Sequence, residues 1–123
     1  MNDKYMEDKL KTIVYSCSGC SNVAQLANKI AVKLDRDNLA KMSCIAGVGG
    51  DVPSLVKVAR NAEKILVLDG CSLSCALKCL KRHDKQPTTH LILTDLDLSK
   101  NMHTDFTEEE FFLTYAKVKK ILE

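Results

Sequence analysis

Residues 64–71 read KILVLDGC: a lysine, four aliphatic side chains from Ile65 to Leu68, then Asp69-Gly70-Cys71. An unbroken aliphatic run suits a strand buried on both faces, the position of a central strand in a parallel sheet. After it comes a helical pattern, with Leu73, Ala76, Leu77 and Leu80 on one face, broken at Asp84–Pro87. Working outward, Lys11–Ser16 (KTIVYS) is a short β-rich segment that also ends in a turn, Cys17-Ser18-Gly19-Cys20. Val23, Leu26, Ala27, Ile30, Ala31 and Leu34 then repeat at helical spacing, with Ser21 or Asn22 as the cap. Ala40–Ala46 is a weaker strand that runs into the glycine turn Gly47–Gly50. Asp51 is placed to cap a second helix, with Pro53 in its first turn and Val52, Leu55, Val56 and Ala59 as its stripe. Thr88–Leu93 is a fourth strand ending at Thr94-Asp95, and Asp95–Phe106 is a polar loop. Thr107–Glu110 forms a capping box for a last helix, whose stripe is Phe111, Phe112, Tyr115, Val118 and Leu122.

The order βαβαβαβα with short connections predicts one α/β domain over residues 11–123, preceded by a tail over 1–10. The expected sheet has four parallel strands in the order 2-1-3-4 with helices on both faces, flavodoxin-like or Rossmann-like. Ligands of such sheets bind at the carboxyl ends of the strands where the order reverses, here between strands 1 and 3.

Composition narrows the function classes. In 123 residues, 46% hydrophobic and 28% charged side chains describe a folded globular chain. A net charge of +2 gives no ground for expecting nucleic acid or a membrane surface as partner. No apolar run approaches the roughly 18 residues of a membrane span, and the opening MNDKYMEDKL lacks a signal-peptide core. The expected compartment is the cytoplasm, where the six cysteines need a reason other than structural disulfides.

Cys17 and Cys20 follow strand 1, and Cys71 and Cys75 follow strand 3. A tetrahedral zinc needs sulfurs about 4 Å apart. A CxxC turn can present two thiolates to one ion, and positions i and i+4 at a helix start share a face. Two such pairs converging from adjacent strands point to a four-thiolate metal site at Cys17, Cys20, Cys71 and Cys75. Zinc is the expected ion, with copper or an iron–sulfur cluster as other groups that soft thiolates suit. Cys44 reads as a buried strand cysteine or a fifth, accessory thiol. Cys79 lies about 12 Å along a helix from Cys71 and reads as a packing or surface residue.

The strings YSCSGCSNVAQLAN (15–28), MSCIAGVGGD (42–51) and LVLDGCSLSCA (66–76) resemble the DGC-domain family, named for its Asp-Gly-Cys motif, here Asp69-Gly70-Cys71. LTDLDLSK (93–100) is similar to the family's region after its last strand. The resemblance covers residues 11–100 and implies zinc binding through four characteristic cysteines, which correspond to Cys17, Cys20, Cys71 and Cys75. It attaches no reaction to the family.

Asp69 and Asp95 end strands at the same edge and are accessory candidates, either as turn residues or as hydrogen-bond acceptors near the thiols. Gly70, like Gly47–Gly50, allows a close backbone approach, although Gly47–Asp51 lacks the pattern of a phosphate loop. His83 reads as a helix-end residue and His90 as a strand residue, while His103 is a loop residue able to swing over the site. Three functions compete: a metal-binding protein; a thiol redox or sulfur-transfer enzyme using Cys17, Cys20 or Cys71; and an interaction or sensor module whose metal only holds the fold. The phosphatase variant of thiol chemistry loses ground because Asn22 and Val23 stand where its arginine is needed.

Overall fold

A computed structural model describes residues 11–123. The expected tail over 1–10 lies outside the described residues. The elements are β1 (Thr12–Ser16), α1 (Asn22–Arg36), β2 (Lys41–Met42), α2 (Ile45–Gly49), α3 (Pro53–Asn61), β3 (Lys64–Asp69), α4 (Cys75–Lys81), β4 (Thr89–Ile92), a 3-10 turn (Leu93–Leu96) and α5 (Glu108–Leu122). The sheet runs β2-β1-β3-β4 with every pair parallel, as the alternation predicts.

Side chains alternate between faces along each strand, and both faces are covered. Val14, Leu66 and Leu68 pack under α1 and α5, through Leu26, Ile30, Leu34, Phe111, Tyr115 and Val118. Ile13, Tyr15, Ile65 and Val67 pack on the other side against Val48, Ala59, Ala76 and Leu80. This two-sided burial is why Ile65–Leu68 shows no polar alternation. Among the described residues, no helix is long and apolar enough to cross a membrane.

Four local expectations change. The second strand keeps only Lys41–Met42, and Ile45–Gly49 closes into a short helix. Val48 is fully buried there, and the glycines permit its close seating: a Cβ on Gly47 would fall 2.0 Å from Leu55 Cδ1, and one on Gly49 2.9 Å from Cys79 Sγ. Cys44 is therefore the exposed residue preceding that helix rather than a buried strand cysteine.

Asp51 does not cap α3, whose N-cap is Val52. It adopts the left-handed conformation (φ 63°), which Asp tolerates. Its carboxylate accepts from Arg82 and His83 at 3.0 Å each, tying the start of α3 to the end of α4. Of the expected α3 stripe, only Ala59 is fully buried.

The third expected helix starts later, at Cys75, so Leu73 lies in the preceding turn and is 57% exposed. On α5 the capping box forms as expected between Thr107 and Glu110. Phe112, however, is 59% exposed, and Thr114 takes the inward position beside Phe111, Tyr115 and Val118. The spacing 111, 115, 118 follows one face of the helix, and residue 112 is rotated about 100° from it.

Candidate functional site

β1 and β3 pair from Thr12↔Lys64 to Ser16↔Leu68, so their carboxyl ends emerge side by side. The ladder continues one step into the turn, where the Cys17 amide donates to the Leu68 carbonyl at 3.0 Å. The chain leaves β1 into α1 and β3 into α4, which lie on opposite faces of the sheet. A cavity of about 310 Å³ opens between the two departures, lined by Cys17, Cys20, Cys71, Cys75 and Cys79. Its remaining walls are mainly small or apolar, with Ile45, Leu73 and Met102 among them, and its charged lining residues are Asp69 and Lys100.

The closeness of the two turns depends on Gly70. A Cβ at this position would sit 2.7 Å from the Ala24 amide nitrogen and from the Val23 carbonyl carbon, so α1 can meet the β3–α4 turn only over a glycine. The Gly70 amide donates to Cys17 Sγ at 3.2 Å. Burial pushes the Cys17 thiol up to about 11, and this bond only partly offsets it; Asp69, Cys75 and Cys71 add to the rise. Cys17 is therefore a neutral thiol near neutral pH. Burial also raises Cys79, with Cys75 and Asp69 adding and Arg82 opposing. Cys20 and Cys75 are exposed, while Cys71 is half-buried. The Lys100 ammonium lies 3.4 Å from Cys71 Sγ.

Asp69 is 1% exposed and serves mainly as a structural acceptor. Its carboxylate caps α4 by accepting from the Ala76 amide at 2.9 Å and the Leu77 amide at 3.3 Å. It also pairs with His90 Nε2 at 2.8 Å. These partners make a buried carboxylate tolerable. The register pairs Val67 with His90 and Asp69 with Ile92, which makes His90 a diagonal neighbour of Asp69. Sequence reasoning missed this pairing because a strand histidine acquires a partner only once the register is known.

Asn22 was also underestimated. Ser21 is the cap of α1, accepting from the Ala24 amide. Asn22 is a clamp. It is 4% exposed, its Nδ2 donates to the Ser99 carbonyl at 2.9 Å, its Oδ1 accepts from the Asn101 amide at 2.7 Å, and its own amide donates to the Asn101 carbonyl. A bridge between Ser21 and Met102 extends the contact. Together these bonds lay residues 99–102 along the cavity rim.

The structure thus brings Cys17, Cys20, Cys71 and Cys75 to one cavity together with Asp69 and Gly70. Cys79 joins them one helical turn after Cys75 on α4, a spacing visible in the sequence. Cys44 is exposed and outside the lining, although its neighbour Ile45 is part of it. Asp95 is exposed in the 3-10 turn and His103 in the following loop, and neither reaches the cavity.

The donor chemistry suits zinc, since the thiols come in pairs from two neighbouring turns. Their placement does not complete a site: among the described residues, no three His, Cys, Asp or Glu side chains are positioned to hold one metal ion.

The DGC domain matches residues 13–118 of the chain. The "Anaerobic and virulence modulator AnvM" of Pseudomonas aeruginosa is 52% identical over 110 residues, covering 89% of this chain and 84% of that protein. No solved structure matches. With the match spanning nearly the whole sheet and every cysteine, the chain belongs to the DGC domain family.

Proposed function

We propose that this chain is a redox-active thiol protein of the cytoplasm whose cavity cysteines pass reversibly between thiols and intramolecular disulfides. The observation that carries this reading is that five free thiols line one small cavity without forming a metal-holding set. Thiol–disulfide exchange needs an attacking thiolate and a second thiol within reach. The half-buried Cys17 is poorly suited to attack, because it holds its proton near neutral pH, so the attacking thiol belongs among the other cavity cysteines. The name of the Pseudomonas aeruginosa relative, an anaerobic and virulence modulator, fits a couple whose oxidation state follows the oxidants present.

Zinc binding is the second reading, favoured by the paired thiols of two adjacent turns. Cys17, Cys20, Cys71 and Cys75 would hold the ion, which would supply rigidity or Lewis acidity there. This reading requires the two turns to draw together. One preparation tests both. Protein purified under reducing conditions is assayed for metal and then equilibrated in glutathione buffers of graded potential while free thiols are counted. The redox reading expects substoichiometric metal and thiols lost in pairs. One equivalent of zinc with unreactive thiols would replace it with the second reading.

A further inference from the structure

Lys100 lies about thirty residues from Cys71 in sequence, yet its ammonium reaches Cys71 Sγ at 3.4 Å. The meeting is a consequence of Asn22, whose buried side chain grips the backbone on both sides of Lys100, at Ser99 and Asn101. The other charged lining residue, Asp69, is turned to the α4 amides and His90. Among the described residues, Lys100 is thus the lining charge available to an incoming molecule, and the walls below it are thiol, hydroxyl and apolar.

Resting on the redox reading above, we infer that the exchange partner of this cavity is an anionic low-molecular-weight disulfide, steered to Cys71 by Lys100. Its carboxylates meet the ammonium at the rim while its disulfide sulfurs reach the thiols. The Cys71 thiolate attacks one sulfur of the disulfide, forming a mixed disulfide and expelling one thiolate. A second cavity thiol then attacks the Cys71 sulfur, forming an intramolecular disulfide and expelling the other thiolate. The two protons of the protein thiols end on the two released thiolates. The small molecule is reduced by two electrons and the protein oxidised by two. Lys100 is here a specificity-determining residue.

The test measures the rate at which the Cys71 peptide becomes modified, by quenched mass spectrometry at fixed pH and low ionic strength. The probes are the dianionic 5,5′-dithiobis(2-nitrobenzoate) and the neutral 4,4′-dithiodipyridine. Steering by one rim charge is worth about tenfold in rate at low salt. Lys100→Met is expected to slow the anionic probe by about that factor and leave the neutral probe within about twofold, and added salt should erase the difference. Lys100→Arg should restore the wild-type preference. Equal slowing of both probes would overturn the inference, because Lys100 would then act on the thiol alone. Charge-blind rates at Cys71 in the wild-type protein would overturn it as well. Failure of Cys71 to react with either probe would instead overturn the redox reading on which it rests.

Discussion

The ends of β1 and β3 and the ends of β2 and β4 lie along one edge of the same sheet, yet they hold different things. At the centre, two strands buried along all but their first residue end beside one another and their chains depart to opposite faces, leaving a cavity lined by five thiols. At the flanks, Cys44 follows the two-residue strand β2 and Asp95 follows β4, and both are exposed outside that cavity. Being at a strand end is therefore insufficient. The crevice forms where consecutive crossovers diverge, and this topological fact separates the central cysteines from Cys44.

The sharpest way to break the comparison is to weaken one side of it. Leu68→Ala empties a fully buried position one residue before Asp69 and should cost about 3 kcal/mol in denaturant unfolding. Met42→Ala, half-buried on the edge strand, should cost about 1 kcal/mol. Equal losses would mean that the centre is no more tightly built than the flank.

Asp69→Ala should cost about 2 kcal/mol, because two amides and His90 lose their acceptor. Asp95→Ala, on the exposed side, should stay within about 0.5 kcal/mol. Asn22→Ala should cost about 1 kcal/mol globally. Its clearer mark is faster hydrogen exchange at Asn101, whose amide it holds, without change around β2.

A further expected effect concerns pH. The folded Cys17 thiol has its pKa raised to about 11 from an ordinary value of 9.0. Its contribution to stability is complete below pH 9 and lost as pH rises toward 11, since the unfolded chain ionises first. Cys17→Ala should flatten part of that decline in a series of denaturation curves. The remainder belongs to groups such as Cys79 and Tyr15, which burial also raises.

Much of this architecture was legible in the sequence. KILVLDGC gave a doubly buried strand with a glycine stop, and the alternation of periods gave the parallel order. The pairs at Cys17/Cys20 and Cys71/Cys75 mapped to the central crevice by topology alone. The cavity role of Cys79 does not follow from a helical distance to Cys71, because α4 begins only at Cys75 and Cys71 lies in the turn before it. The short helix at Ile45–Gly49 is hidden in the sequence because a Gly-rich run reads as a turn, whereas in the fold it seats Val48 in the core. The Asn22 clamp and the Asp69–His90 pair join residues brought together by sheet order and strand register, which local patterns do not encode.

The central claim, that the crevice between β1 and β3 houses a working set of thiols, is tested most directly by mapping disulfides in the intact protein after mild oxidation. Peptide mass spectrometry should find intramolecular bonds confined to Cys17, Cys20, Cys71, Cys75 and Cys79, with Cys44 free. Bonds that join Cys44 to the central cysteines, or only bonds between separate molecules, would contradict it.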